Sequence, residues 1–170
     1  MWGGCEYDDV SKQSSYFAKG IDFLTRHQGK KVAHEVKFES YTTGNQALEM
    51  FTFYAKDGVD GNWKTGWMYS STAAWLHAIF PCGLALIVNM DELRSVYVEK
   101  DSEQDYCMAI NNGPPKKFGL PYDDKGPLAI LNKTLDERPF SHVSFSVLSV
   151  VEETLANCKQ AYLVDLRELF

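Results

Sequence analysis

Asp22, Glu35 and Lys37 stand in segments that otherwise read as buried strands, "GIDFLTR" and "VAHEVKFESY", where Val, Ile, Phe or Tyr would be the ordinary choice. Twelve residues separate Asp22 from Glu35, and the polar "HQGKK" between the segments carries Gly29 and reads as a hairpin turn. A hairpin closed there sets Asp22 beside Glu35. Lys37 follows Glu35 by two residues, about 6.6 Å along the same strand face. Two carboxylates with a shared focus repel each other, which raises at least one pKa and makes a divalent cation their natural partner. Mg²⁺ prefers hard oxygen ligands and keeps several waters, so one or two carboxylates suffice, and the backbone carbonyl of Val36 offers another oxygen. A lysine beside such an ion would orient or activate a water and stabilise negative charge developing on a phosphate. The set suits hydrolysis of a phosphodiester. The plainer alternative is an exposed cross-strand ion pair, worth about 0–1 kcal/mol.

The elements that must hold these residues can be traced along the chain. "DDVSKQSSYFA" reads as a capped turn or short helix leading into the first strand. In "VAHEVKFESY", Val32, His34, Val36 and Phe38 alternate with Ala33, Glu35 and Lys37. The alternation predicts an apolar packing face on the Val32 side and a charged face on the other. "TTGNQALEMFTFY" leans to strand by its aromatic and Thr content, with Asn45 and Glu49 on one face. "DGVDGNWKTG" reads as a loop. "SSTAAWLHAIF", with Ser70 or Ser71 as N-cap and Pro81 beyond, predicts a helix that carries His77 beside Trp75. "GLALIVNM" reads as a buried strand, "DELRSVYVEKD" as a short helix, and the end of the chain as a strand followed by a helix. The region 111–127, with four of the six prolines, reads as an irregular loop.

Length and composition bound these readings. A chain of 170 residues, 45% hydrophobic and 14% aromatic, suits one compact domain and excludes a disordered one. The N-terminus lacks the basic and apolar regions of a secretory signal, and the run from Ala73 to Val88 is too short and too interrupted to span a bilayer. A soluble, intracellular protein with reduced thiols is expected, since Cys5, Cys82, Cys107 and Cys158 form no CxxC pair. A net charge of −6 argues against nonspecific coating of nucleic acid, yet it is compatible with a site where a metal supplies the positive charge.

With these residues in place, "D22…E35-V36-K37" resembles the PD-(D/E)XK nuclease superfamily, in which an Asp ends one strand and Glu-x-Lys lies on the next. "DDVSKQSSYFAKGIDF" is similar to the opening of small members, with Asp9 and Gln13 preceding "GID". "TTGNQALEMF" resembles the "TGN…E" segment of phage and bacterial members and places Asn45 and Glu49 at the edge of the site. "KTGWMYSSTAAWLHAI" is similar to a later segment, where a small residue and Gly lead into a helix carrying a Trp.

The resemblance covers roughly residues 9–90 of a single domain. It implies an α/β fold with a central mixed β-sheet flanked by helices, a restriction-endonuclease-like core. It also implies a Mg²⁺- or Mn²⁺-dependent nuclease, with DNA favoured over RNA, at work in a bacterial cell or phage-infected host. Asp22 and Glu35 would be the metal ligands with the Val36 carbonyl, Lys37 the catalytic lysine, and Asp9, Gln13, Asn45 and Glu49 supporting residues. Where many members carry an acidic residue on a longer first helix, the candidates here are Glu6, Asp8 and Asp9. A homodimer would present two symmetric sites to paired strands.

Other chemistries find less support. His27, His34, His77 and His142 share no metal-ligand spacing, and no GxSxG elbow or GxxxxGK[ST] loop is present. Ser70, Ser71 and Thr72 read as helix caps. Lys116 and Lys117 could touch a nucleic-acid backbone, although a solvated loop is the commoner role for such a pair. A second class of function keeps the fold without the chemistry: a nuclease-like module that binds nucleic acid or protein.

Overall fold

The computed structural model describes residues 6–39, 45–55, 61–97, 106–110, 116–118 and 142–169. Along the chain these form β1 (Glu6–Asp9), α1 (Ser14–Phe17), β2 (Phe23–His27), β3 (Lys30–Phe38), β4 (Asn45–Ala55), β5 (Gly61–Thr65) and α2 (Trp67–Ser70). There follow β6 (Trp75–Ile79), β7 (Leu84–Asn89), α3 (Met90–Tyr97), β8 (Tyr106–Ile110) and β9 (Lys116–Phe118). The chain closes with β10 (His142–Val150), α4 (Val151–Asn157), β11 (Ala161–Asp165) and a short 3-10 helix, Leu166–Glu168. The fold is mixed α/β, with few and short helices. Its contacts divide it into two compact units: Met1–Gln46, Ser70–Val96 and Val150–Phe170 form the first, Ala47–Tyr69 and Tyr97–Ser149 the second.

The first unit holds a six-stranded mixed sheet in the order β1-β2-β3-β6-β7-β11. β3 and β6 run parallel, and every other neighbouring pair is antiparallel. β2 and β3 close as a hairpin on Gln28 and Gly29, with His27 opposite Lys30. Both turn residues have positive φ, 50° and 76°, the geometry that matches a two-residue turn to the twist of its strands. The "HQGKK" turn is therefore where the sequence places it.

Register decides which face of this sheet is the core. Leu24 pairs with Ala33, Glu35 with Leu76, and Lys37 with Ala78, while Leu76 and Ala78 pair onward with Val88 and Leu86. Leu24, Leu76, Ala78, Leu86 and Val88 are all buried, and full burial of a Leu or Val side chain contributes about 1.5–3 kcal/mol. The side bearing Ala33, Glu35 and Lys37 packs as well as the expected one: Glu35 is 1% and His34 9% exposed, while Phe38 at the end of the strand is 77% exposed. Near the start of β2, Val10, Ile21 and Leu24 form a cluster with Tyr16 of α1 and Ala33 against it.

The expected helix over "SSTAAWLHAIF" is corrected, because only Trp67–Ser70 is helical there and Trp75–Ile79 is a strand. Leu76 and Ala78 are buried between half-buried Trp75, His77 and Ile79, a period of two that the alanines and cap-like serines disguised. Two further corrections concern segment type: part of the expected loop "DGVDGNWKTG" is β5, and the expected C-terminal helix is followed by β11. Within the expected irregular region, Lys116–Phe118 forms β9, so Lys116 and Lys117 lie on a strand. The rest of 111–127 lies outside the described residues. α3 is as expected, capped by Asn89, whose Oδ1 accepts from the amides of Asp91 and Glu92 at 3.0 and 3.2 Å.

The second unit holds a five-stranded sheet, β5-β4-β10-β8-β9. Along β4, Leu48, Met50 and Thr52 are buried and alternate with half-buried Ala47, Glu49 and Phe51. Gly66 crosses this strand closely: its amide donates to the Met50 carbonyl at 2.7 Å, and an added Cβ would overlap the Glu49 carbonyl. Since backbone rather than a flexible side chain stands in the way, Gly66→Ala is expected to destabilise the protein by about 1–3 kcal/mol. Denaturant melts would measure the change, and a midpoint equal to wild type would refute the close approach.

Candidate active site

The start of β2 and the middle of β3 meet at Asp22 and Glu35. The Asp22 amide donates to the His34 carbonyl at 2.9 Å. Asp22 precedes the first residue of β2 instead of ending a strand. Its side chain continues the ladder where the backbone leaves off, Oδ2 accepting from the Val36 amide at 2.7 Å. Hydrogen-bonding groups of alternate strand residues face the same neighbour, so the Val36 carbonyl is directed to the edge where Asp22 sits. Val36 is thus held by one of the residues it was expected to join.

Glu35 is 1% exposed, a rare position for a carboxylate. Its Oε1 lies 2.5 Å from Lys37 Nζ. The Ser71 hydroxyl stands beside the carboxylate and has one proton for two acceptors, the Gly20 carbonyl at 3.0 Å and Glu35. Burial pushes the Glu35 carboxyl above its ordinary range; Lys37 and then Ser71 pull the other way, and the charge of Asp22 adds to the rise. Lys37 is more open, its side chain 34% exposed, so it can reach both the buried carboxylate and a group arriving from solvent.

The supporting residues sit as follows. Asp9 ends β1 opposite Phe23, and its Oδ1 accepts from the Ser11 hydroxyl at 2.7 Å and the Ser11 amide at 3.0 Å. These bonds hold the Asp9 carboxyl below its ordinary range, hydroxyl first. Gln13 caps α1 through its backbone, without a side-chain hydrogen bond to the helix. Glu6 and Asp8 face Arg26 at 3.2 and 3.9 Å, an exposed cluster. Asn45 and Glu49 open β4 on one face, but Asn45 is counted with the first unit and Glu49 with the second. The contacts therefore bring together Asp22, Glu35, Val36 and Lys37. They add Gly20 and Ser71, which the sequence offered only as part of "GID" and as a helix cap.

Among the described residues, no three His, Cys, Asp or Glu side chains gather as a metal cage. The oxygens on neighbouring residues here are hard ones: the carboxylates of Asp22 and Glu35, and the Val36 carbonyl on the edge that Asp22 faces. Mg²⁺ completes its shell with waters and substrate phosphate, so this set fits it. Glu35→Gln is expected to weaken Mn²⁺ binding at least about tenfold while the thermal midpoint stays within a few degrees, since the amide keeps the shape and removes the ionisation that burial opposes. A wild-type Mn²⁺ titration would remove Glu35 from the ligand set.

His34 and His77 occupy the opposite face of the sheet. His77 lies on β6, not on a helix, and its Nε2 is 3.0 Å from His34 Nδ1, while His34 Nε2 is 2.8 Å from Thr25 Oγ1. Phe23 stacks on His34 with ring centroids 4.4 Å apart. Burial lowers both imidazoles to a pKa of about 4, with the His77 charge a further cause for His34. They are neutral structural partners at neutral pH. Cys82 and Cys158 are free thiols, and no helix among the described residues is long and apolar enough to cross a membrane. Comparison with known protein families, curated proteins and solved structures finds no match to this chain.

Proposed function

We propose that this chain is a metal-dependent nuclease with a restriction-endonuclease-like core, hydrolysing phosphodiester bonds, with DNA as the favoured substrate. The observation that carries the reading is the placement of Asp22 beside Glu35 with the Lys37 ammonium 2.5 Å from the Glu35 carboxylate. Asp22, Glu35 and the Val36 carbonyl would hold Mg²⁺ or Mn²⁺. Such an ion supplies Lewis-acid polarisation and charge neutralisation at the scissile phosphate.

The chain's own residues account for the rest. Lys37 sits at the rim, with one side on Glu35 and the other toward solvent, where its N–H groups can orient an attacking water and stabilise charge developing on the phosphate. Asp22, fixed by the Val36 amide, holds the carbonyl edge and its own carboxylate in one place. The buried Glu35 resists ionisation, so a cation and Lys37 both lower the cost of its charge.

The test is incubation with labelled single-stranded, duplex and branched DNA and RNA, in Mg²⁺, Mn²⁺ or chelator. Cleavage that chelator abolishes is the expected result, and the panel reports the substrate class and, with sedimentation, whether a dimer is the cutting species. A second reading rests on a specific observation: Asp22 and Glu35 already have protein partners in the Val36 amide and Lys37. On that reading the module binds nucleic acid or protein without cutting, and absence of cleavage with every metal and substrate would favour it.

A further inference from the structure

We infer that Ser71 is a positioning residue that, with Gly20, holds the Glu35 carboxylate in the orientation that receives the cation. The inference rests on the nuclease reading of this site. Ser71 is 3% exposed and is fixed from three directions. Its hydroxyl donates to the Gly20 carbonyl at 3.0 Å and accepts from the Ala73 amide at 3.2 Å. Its own carbonyl accepts from Arg94 Nη2 of α3 at 2.6 Å. Next to it, the Thr72 amide donates to the Lys19 carbonyl at 2.8 Å, so the segments 19–20 and 71–72 run locked together.

Glu35 Oε2 points into this joint. A Cβ built on Gly20 would lie 3.0 Å from Oε2, and also 3.0 Å from the Ser71 Cβ and Oγ. The glycine, whose φ is +60°, therefore leaves the space that the carboxylate oxygen fills. With one proton for the Gly20 carbonyl and the carboxylate, the Ser71 hydroxyl fixes the wall beside Oε2. A carboxylate held this way has Oε1 on Lys37 and Oε2 enclosed by Gly20 and Ser71. Removal of the hydroxyl would free the Gly20 carbonyl and open a void beside Oε2, so the carboxylate could turn away from the orientation a metal needs.

The experiment measures Mn²⁺ affinity by calorimetry or by electron paramagnetic resonance, alongside thermal melts, for wild type, Ser71→Ala and Thr72→Ala. Loss of a group that orients a ligand commonly costs ten- to a hundredfold in affinity. Ser71→Ala in its folded state is expected to bind Mn²⁺ about 10–100-fold more weakly, with Thr72→Ala unchanged. A purely structural role would lower the melting midpoint and leave the affinity of the folded protein as it was, which would overturn the inference. If the alanine variant does not fold, Ser71→Cys fills the space with a somewhat larger, poorly hydrogen-bonding group: weakened binding supports the inference and wild-type affinity overturns it. Wild-type protein that binds no Mn²⁺ would refute the nuclease reading itself, whereas unchanged Ser71→Ala affinity beside a binding wild type refutes only the role of Ser71.

Discussion

Lys37→Ala is expected to lose cleavage by at least about 10²–10³-fold, the usual cost of removing one donor aimed at transition-state charge. It is also expected to keep its fold and its metal. Lys37 is the member of the cluster with a third of its side chain in solvent, so its truncation leaves no cavity in the core. Two opposing effects act on the metal. Without the ammonium, the buried Glu35 carboxyl, already pushed up by burial, ionises less readily; but a cation entering the site no longer meets a positive charge. These effects offset each other most nearly above neutral pH, so Mn²⁺ titration at about pH 8 is the suitable control. Lys37→Arg keeps the charge in a broader, planar group and should recover only part of the activity. Cleavage by Lys37→Ala at the wild-type rate would remove Lys37 from the mechanism.

The second large effect is an acid-induced loss of stability centred on His34 and His77. In the folded protein both titrate near 4, whereas an unfolded histidine titrates near its ordinary value of about 6.5. Between these values the unfolded chain binds more protons than the folded one, so stability is complete above about pH 6.5 and falls as the pH drops toward 4. Protonation of the pair places two positive charges across a 3.0 Å contact. The loss should amount to a few kcal/mol over that window, since each pKa unit corresponds to about 1.4 kcal/mol. Glu35 works in the opposite direction: its folded-state value is raised, so its contribution is present at low pH and lost as pH rises through that value. Urea midpoints at pH 7, 6, 5 and 4.5 test the prediction, with His77→Gln expected to flatten the profile. A flat wild-type profile across this range would refute it.

The hairpin and the cluster on it were legible in the sequence because both are local. "HQGKK" carries its turn chemistry within a few residues, and Glu35 and Lys37 share a face by simple alternation. What the alternation could not give was that the charged face is buried too, because that depends on Leu76, Ala78, Leu86 and Val88 arriving from strands far along the chain. Charge on one side of β3 suggested solvent, yet Glu35 is enclosed, as is His34 on the other side. The same limit explains β6: Ala73, Ala74 and the preceding serines favour a capped helix, and tertiary pairing with β3 overrides that preference. Gly20 and Ser71 are 51 residues apart, so their meeting beside Glu35 left no pattern in any short window.

The six-stranded sheet has a further consequence for the order in which the protein can form. Its parallel centre joins β3 to β6, and its far edge, β11, pairs Asp165 with Leu84 and Ala161 with Val88. These contacts join distant parts of the chain, and such non-local pairings must meet the entropy of loop closure before any contact compensates it, which slows folding relative to a chain of local contacts. During synthesis, β2 and β3 can pair as soon as they emerge, setting Asp22 beside Glu35 early. The shelf made by Ser71 comes only with the next crossing, and the sheet is not complete until residues 161–165 have left the ribosome. The chemical groups of the site would therefore assemble before the sheet that encloses them is finished.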